Sequence, residues 1–230
     1  MLKKQKALSK KVYLAIILLV VLVAATVAII LATQPAPIKV TIGVHVGDTF
    51  TYSLKSASNL GVGAVDTPGF SQYNETDYYK VTITDVNVTS VSLDTVWRLL
   101  NGTETVSHQT IDLSNGAKTD DTGFWAIYAS NLKVSNLLRP TGLDGITVNM
   151  TDTQTFANSV RERNYFQVAG EFFDVRDPTH NTLMYDSRDI YFDKQTGILT
   201  YFVDYQEFNN PQMIEVVTWT LVDSNVWAVQ

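Results

Sequence analysis

A long apolar run close to the amino terminus constrains this 230-residue chain more than any other feature. The run begins at Val12 and ends at Thr33, and it follows five lysines, namely Lys3, Lys4, Lys6, Lys10 and Lys11. As an α-helix it would be about 33 Å long, enough to cross a hydrocarbon core of about 30 Å. Lysines concentrated on one side predict that this side faces the cytoplasm. The sequence therefore predicts a basic cytoplasmic tail (1–11), a transmembrane helix in contact with membrane lipid (12–33), a stem (34–39) and an extracellular β-rich domain (40–230).

Two other interpretations of this run compete with the membrane anchor. A cleaved signal peptide also has a basic segment before an apolar one, but its apolar part is normally about 7 to 15 residues long and ends in small residues. A pilin-like filament core would place Lys10 and Lys11 among apolar helices, at a substantial desolvation cost. We therefore prefer the uncleaved anchor and keep pilin-like assembly as an alternative.

Composition limits the chemistry of the extracellular part. Apart from the five lysines, the chain carries 12 basic and 23 acidic residues, so nucleic acid is not an expected partner. Cysteine is absent, which excludes disulfides, thiolate nucleophiles and thiolate metal sites. The sequence also contains no phosphate-binding loop, dinucleotide fingerprint or EF-hand loop. We therefore expect no cofactor, no metal site and no catalytic residue.

Four sequons for N-glycosylation follow the apolar run, at Asn74, Asn87, Asn101 and Asn149. A single copy of so short a pattern often arises by chance, but four copies on the predicted outer side favour a glycoprotein. Glycosylation would place these segments in solvent.

Alternating apolar and polar residues dominate the rest of the chain. Phe50, Tyr52 and Leu54 alternate with serine and threonine, which predicts a half-buried strand. A Gly/Ser/Asn-rich stretch over 56–76 is interpreted as a mobile or ligand-binding loop. The same alternation predicts further strands over 79–84, 90–100, 104–113, 145–150, 160–168, 183–192, 198–208 and 213–222.

Two short segments have the residues that hairpin turns need. Asn101 and Gly102 both tolerate positive φ, which predicts a type I′ turn between two antiparallel strands. Residues 193–197 predict a second hairpin turn, in which Gly197 adopts the left-handed conformation.

Residues 120–138 differ from this pattern, because Phe124, Tyr128 and Leu132 recur at every fourth position and Pro140 follows. That spacing predicts one helix. The expected fold class is therefore mainly β with α+β character: an N-terminal transmembrane helix, then one antiparallel, curved, half-barrel-like sheet with one principal helix.

Aromatic residues are dense in the last predicted strands. Such a density indicates either a core or a concave surface that binds a ligand. The candidate ligand-lining residues are Tyr191, Phe192, Tyr201, Phe202, Tyr205, Phe208 and Trp219.

Motifs for catalysis and metal binding are weak. Residues 121–123 are the Asp-Thr-Gly tripeptide of aspartic proteases, but the chemistry needs two such carboxylates and only one copy is present. His45, His108 and His180 are far apart and lack the spacing of a zinc site. We interpret them as ordinary surface or strand histidines.

Charged residues near the candidate strands have two interpretations. Arg161 and Arg163 lie two residues apart in a predicted strand and share one side, where they either clamp an anionic ligand or pair with acidic residues, the default. The nearby acidic residues are interpreted as solvated strand edges and turns; they are Asp174, Asp177, Asp186, Asp189 and Asp193.

Short fragments along the exposed part resemble a group of uncharacterised archaeal single-pass membrane-anchored ectodomains. These fragments are residues 46–52, 81–86, 129–132, 191–199 and 224–227. The Asp-Lys-x-Thr-Gly-Ile-Leu turn at 193–199 is also similar to a turn of bacterial lipoprotein-carrier half-barrels, in which a curved antiparallel sheet holds an acyl chain against a helix. The resemblance implies a half-barrel and supplies no catalytic residue.

These features together favour a membrane-anchored, non-enzymatic cell-surface binding module that contacts an envelope protein, a glycan or an apolar ligand. One alternative is a structural subunit of an envelope layer or pilin-like assembly. A second alternative is an extracellular hydrolase that uses carboxylates such as Glu162 or Glu171, which would have to flank a cleft about 5 to 9.5 Å apart.

Overall fold

The computed structural model describes residues 40–119, 125–171, 182–209 and 212–227, together with Leu19, Val20 and Val23. The chain divides into two units, Met1–Lys39 and Val40–Gln230, and the account below concerns the second. The predicted transmembrane segment lies, apart from those three residues, outside the described part of the chain. Within the described part, no helix has both the length and the apolar character needed to cross a membrane.

The described residues of the second unit form one nine-stranded antiparallel sheet. Its spatial order is β4-β3-β2-β1-β9-β8-β7-β6-β5. The strands are β1 (Thr49–Leu60), β2 (Thr76–Val86), β3 (Ser90–Leu99), β4 (Glu104–Asp112), β5 (Met150–Phe156), β6 (Ser159–Glu171), β7 (Thr182–Asp193), β8 (Leu199–Asn209) and β9 (Met213–Ser224).

This order divides the sheet into two meanders. Strands β1 to β4 form one, β5 to β9 form the other, and each strand pairs with its neighbour in sequence. The first and last strands of the unit join the two meanders, with Leu54 opposite Trp219 at the centre of the β1–β9 pair. The prediction of a mainly β, antiparallel domain is therefore confirmed.

One face of the sheet, called here the inner face, carries the core. Phe50, Tyr52 and Leu54 of β1 are buried while the residues between them are partly exposed, as the alternation predicts. Neighbouring strands place Val81, Leu93, Phe166, Phe192 and Leu221 in the same cluster.

The first predicted hairpin is present, but its turn differs from the prediction. Only Gly102 has a positive φ, 85°, and its N–H donates to the Leu99 carbonyl at 2.9 Å. The turn therefore spans 99–102, with Asn101 at negative φ and glycine at the left-handed position that follows a type I turn. The strand pairing is as predicted, because this turn and a type I′ turn both return the chain antiparallel.

The second hairpin turn, over 193–197, is confirmed. Gly197 has a φ of 79°, and its N–H donates to the Asp193 carbonyl at 2.8 Å. Asp193 Oδ1 accepts hydrogen bonds from the N–H groups of Gln195 and Thr196. The aspartate therefore satisfies donors that the turn leaves without backbone partners.

Residues 113–149, called here the crossing segment, connect β4 and β5, the two outermost strands. Eight strand spacings of about 4.8 Å separate these edges, which explains why the connection is long. Isolated bridges tie the segment to itself and to the sheet, at Leu137 with Thr147 and at Ile127 with Ile198. The N–H of Tyr128 also donates to the carbonyl of Gly197.

The predicted helix over 120–138 is wrong for its described part, 125–138, which contains no helix. Ala126, Ile127, Tyr128 and Ala129 are buried consecutively, because backbone hydrogen bonds to Gly197 and Leu199 hold this stretch against the sheet. Apolar residues four positions apart can be buried in a helix or in a non-helical segment of this kind. Their spacing alone therefore does not predict a helix. In the described residues of 40–227, the only helical element is a 3₁₀ turn, Phe70–Tyr73.

Candidate ligand-binding cavity

A cavity of about 450 Å³ lies between the inner face and the segments that cover it. Six strands, the 3₁₀ turn and the crossing segment all contribute to its wall. The lining residues are Tyr73, Tyr79, Trp97, Trp125, Tyr128, Arg139, Ile146, Phe166, Val168, Arg188, Ile190, Leu199, Phe202, Asp204, Val217 and Trp219. Concave apolar sites of about 300–1,000 Å³ with few polar groups are typical of small-molecule binding.

Four rings, called here the aromatic group, form one part of the wall. They belong to Tyr73, Tyr79, Trp97 and Trp219. Tyr73 lies 5.8 Å from Trp97 and 6.4 Å from Trp219 between ring centroids, and Tyr79 lies 6.4 Å and 4.7 Å from the same two rings. Each tyrosine therefore contacts both tryptophans. Tyr73 comes from the stretch 56–76, which the sequence interpretation had as a loop but which contains the end of β1 and the 3₁₀ turn.

The crossing segment supplies the opposite wall. The Tyr128 ring lies 4.9 Å from Phe192 and 5.3 Å from Phe166 between centroids. Burial raises the pKa of the Tyr128 hydroxyl, against the opposing effect of Arg139 and Arg188. Its backbone is held by the 193–197 turn, since a Cβ added at Gly197 would lie 2.0 Å from the Tyr128 carbonyl oxygen. Glycine at that turn therefore permits the close approach of the cavity wall.

Two charged side chains of the inner face, Arg188 and Asp204, line the cavity, and Asp186 lies beside Arg188 on β7. Arg188 lies directly opposite Asp204 in the β7–β8 pair. Its Nη2 lies 2.8 Å from Asp186 Oδ2, whereas its Nε lies 3.7 Å from Asp204 Oδ1. Within the described part of the chain, Asp204 Oδ1 and Arg188 Nε are buried without a hydrogen-bond partner. Asp204 is therefore ion-paired only loosely.

The carboxyl group of Asp204 gains or loses a proton at a pH close to 7. Burial raises the pKa of its carboxyl to about 7; the charge of Arg188 opposes this shift, and hydrogen bonding and repulsion from Asp186 add to it. Two carboxylates beside one guanidinium leave one negative charge unmatched when both are ionised. The pair can lose that charge by holding one proton.

The second cavity arginine, Arg139, is already engaged. Its Nη1 lies 2.5 Å from Asp144 Oδ2, and its guanidinium stacks 4.8 Å from the centroid of Trp125. Lys118 also lies over the Trp125 ring, at 4.3 Å. Arg139 is therefore neutralised by its own carboxylate.

The structure separates the seven predicted ligand-lining aromatics. Phe202 and Trp219 line the cavity, Phe192 lies in the core, and Phe208 is half-buried near the end of β8. The other three lie on the opposite, outer face of the sheet, because they alternate with inner residues. Among these, the tilted rings of Tyr191 and Tyr201 lie 5.9 Å apart between centroids, and Tyr205 packs against Tyr185.

The two candidate arginines of β6 pair with acidic side chains, the default interpretation. Arg163 makes two hydrogen bonds to Asp152, at 2.8 and 2.9 Å, and Arg161 makes two to Asp193, at 2.7 and 3.1 Å. Asp193 is fully buried. The interpretation of this acid as solvated is therefore wrong, and the same holds for the largely buried Asp186.

Asp174 and Asp177 lie outside the described residues. Asp189 accepts hydrogen bonds from Tyr165 and Gln167 on the outer face.

The carboxylates considered for hydrolysis do not come together. Glu162 and Glu171 lie nine residues apart on β6, about 30 Å along an extended strand. Glu162 forms an exposed ion pair with Lys194. Neither residue lines the cavity.

The predicted histidines and sequons are distributed over the surface. His45 and His108 are exposed, and His180 and residues 121–123 lie outside the described part. No three described His, Asp or Glu side chains converge as a metal site would require. The sequon asparagines, Asn74, Asn87, Asn101 and Asn149, are all exposed.

The cavity was only partly visible in the sequence. Phe202 and Trp219 were found by aromatic density, whereas Arg188 and Asp204 resemble any charged residue of a strand. Each lies two residues from an apolar residue of the cavity wall, Arg188 from Ile190 and Asp204 from Phe202. This spacing was the one sequence pattern that could have placed the two charged residues on the inner face. No protein-family model matches the chain, and no curated protein or solved structure is significantly similar to it.

Proposed function

We propose that this protein is a membrane-anchored cell-surface module that binds a small amphipathic molecule in the cavity of a half-barrel-like sheet. The observation that carries the proposal is the cavity itself, because an apolar inner face packed solid would have no space for a ligand. Its volume suits a molecule of drug or short-lipid size. Anchoring through residues 12–33 and an extracellular location are parts of the proposal that derive from the sequence, and four exposed sequons support them.

Intrinsic fluorescence offers a direct test, because three of the four tryptophans line the cavity. Trp227 is the exception; it packs against Phe50 and Phe156. We expect decanol, a neutral ten-carbon probe, to change the emission of the full-length protein saturably. A Trp227→Phe variant should keep that response, whereas Trp97→Phe should reduce it.

A substitution at the cavity rim supplies a matched control. Val168 lines the cavity and is 38% exposed, whereas Val160, on the same strand and the same face, is 70% exposed and does not line it. Val168→Phe should fill space at the rim and weaken decanol binding at least about fivefold, because a bulky ring takes the place of the ligand.

Val160→Phe should bind decanol like the unmodified protein. Equal affinity of all three proteins would contradict the cavity as the binding site, and failure of decanol to bind any of them would contradict the proposed function.

A further inference from the structure

The cavity wall carries an imbalance of charge that bears on the kind of ligand. Its two arginines each have a close carboxylate: Arg139 has Asp144 at 2.5 Å, and Arg188 has Asp186 at 2.8 Å. Among the described residues of the wall, Asp204 is the remaining charged group, and its Oδ1 lies 3.7 Å from Arg188 Nε. The side chain of Asp204 is only 20% exposed, so water compensates its charge poorly. An ionised Asp204 therefore leaves one negative charge inside an apolar cavity.

The aromatic group lies on the same face as this carboxylate. Phe202 is two residues before Asp204 on β8, and it lies opposite Trp219, whose ring contacts Tyr73 and Tyr79. Tyr73 is close enough for the charge of Asp204 to contribute to the raised pKa of its hydroxyl, after the effect of burial. The faces of aromatic rings carry negative potential and attract cations, and proteins use such rings to recognise quaternary ammonium ligands.

We propose that the ligand of this cavity is an amphipathic organic cation, whose alkylated ammonium group lies between Asp204 and the aromatic group and whose apolar part fills the remaining space. The inference rests on the proposed function and goes further, because it assigns the charge of the ligand. An anionic head group is disfavoured, since both arginines are engaged and Asp204 would repel it. The excess of acidic over basic residues, 23 against 12 apart from the five amino-terminal lysines, also attracts cations.

The proposal implies that binding strengthens as pH rises. The other charged and titratable groups of the cavity wall are Tyr73, Tyr79, Tyr128, Arg139 and Arg188. Asp186 pairs with Arg188 on β7, and Glu215 lies on β9 opposite Gln206, two residues from Asp204. Glu215 accepts a hydrogen bond from the Thr67 N–H, at 2.6 Å. Ionisation of Asp204 is the change that creates the unmatched charge, so a cation gains a partner above about pH 7.

The test uses three probes with ten-carbon chains that differ only in the head group: decyltrimethylammonium, decanol and decanoate. Each is titrated into the full-length protein at pH 8 and about 0.15 M salt, with tryptophan emission and calorimetry as readouts. We expect decyltrimethylammonium to bind at least about fivefold more tightly than decanol, and decanoate more weakly than decanol. At pH 5.5 the preference for the ammonium over decanol should fall severalfold.

Asp204→Asn identifies the responsible group. This variant should bind decyltrimethylammonium no more tightly than decanol, at pH 5.5 and at pH 8 alike, and chemical denaturation shows that it is folded. Val168→Phe separates cavity binding from attraction to the acidic surface, because it should weaken the binding of the ammonium while leaving the surface charge unchanged.

The possible outcomes distinguish this inference from the proposed function. Equal binding of the three probes, or tightest binding of decanoate, overturns the cationic ligand and leaves the binding function standing. A pH-independent ammonium preference in the unmodified protein overturns it as well. Failure of all three probes to bind overturns both proposals.

Discussion

Two arginine–aspartate pairs on neighbouring strands of this sheet have contrasting surroundings. Asp193, at the end of β7, accepts two hydrogen bonds from Arg161 and three more from Gln195 and Thr196. Asp204, on β8, lies 3.7 Å from Arg188 and retains a buried oxygen without a donor among the described residues.

The difference distinguishes a structural ion pair from the proposed ligand-binding site. A buried carboxylate is tolerated when hydrogen bonds replace its lost hydration, as at Asp193. At Asp204 the hydrogen bonds do not fully replace the lost hydration of the carboxylate. Protonation or a bound cation would compensate the remaining charge. Replacing the aspartate should therefore lower the stability of the protein at Asp193 and raise it at Asp204.

The largest change in stability is expected at the pair of Asp193 and Arg161, in which hydrogen bonds occupy both carboxylate oxygens. Asp193→Ala should lower the free energy of unfolding by about 3–5 kcal/mol, because it leaves Arg161 without its carboxylate and removes the acceptor of the 193–197 turn. Chemical denaturation at pH 7 measures this change. Asp223→Ala, at an exposed position of β9, serves as the control and should cost less than about 0.5 kcal/mol. If Asp193→Ala lowered the free energy of unfolding by less than about 1 kcal/mol, the proposed difference between the Asp193 and Asp204 pairs would be contradicted.

The glycine of the same turn should give the next largest effect. Gly197→Ala should destabilise the protein by about 3 kcal/mol, because φ is positive and the new Cβ would meet the Tyr128 carbonyl oxygen. Gly102→Ala is the matched control: its φ is 85°, but no atom lies within 4 Å of the added Cβ. It should cost about 1 kcal/mol. Equal losses in thermal denaturation would show that the contact with Tyr128 is unimportant.

The loosely paired aspartate should show the opposite sign. The pKa of Asp204 is raised from 3.8 to about 7 in the folded protein, so the folded state holds a proton that the unfolded state has released. Stability therefore falls as pH rises from about 4 to 7, and the penalty stays constant above that range. Asp204→Asn cannot ionise and should be more stable than the unmodified protein at pH 8, by about 2 kcal/mol.

The measurement is denaturation of both proteins at intervals from pH 5 to pH 8. The advantage of the variant should shrink towards the acidic end, because both proteins are then neutral at position 204. A variant that is less stable at pH 8 than the unmodified protein would mean that Asp204 is satisfied like Asp193.

The smallest effect is expected at an exposed ion pair, which gives the baseline for the other two. Arg98 and Glu104 lie 2.8 Å apart across the first hairpin, with about two fifths of each side chain exposed. Glu104→Gln should change the free energy of unfolding by less than about 0.5 kcal/mol, because solvent screens such pairs. Denaturation in low and high salt checks this; a large salt-sensitive loss would indicate an unexpectedly strong surface pair.

Local features of the fold were predictable from the sequence. The hairpin turns at 101–102 and 193–197 depend on residues a few positions apart, and the strand alternation around Phe50 depends on nearest neighbours. The turn type at Gly102 was not predictable, because Asn-Gly also fits a type I turn followed by a left-handed glycine.

The crossing segment shows where local reasoning fails. Tyr128 and Leu132 have helical spacing, but the Tyr128 N–H bonds to Gly197, almost seventy residues away in sequence. The cavity could not be predicted for the same reason, since its wall is built from segments far apart in sequence, from Tyr73 to Trp219. Which alternating residues of β8 face inward depends on the whole sheet. Sequence alone could therefore find aromatic density but could not place Asp204 inside.

The pairing of β1 with β9 sets the order in which the domain can be completed during synthesis. Of the nine described strands β1 is made first, whereas its partner β9, Met213–Ser224, is made only after all the others. Until then one edge of β1 has no strand to pair with, and such edges recruit strands of other molecules. Nascent chains stopped before residue 213 should consequently self-associate, because β9 is the strand that covers this edge of β1.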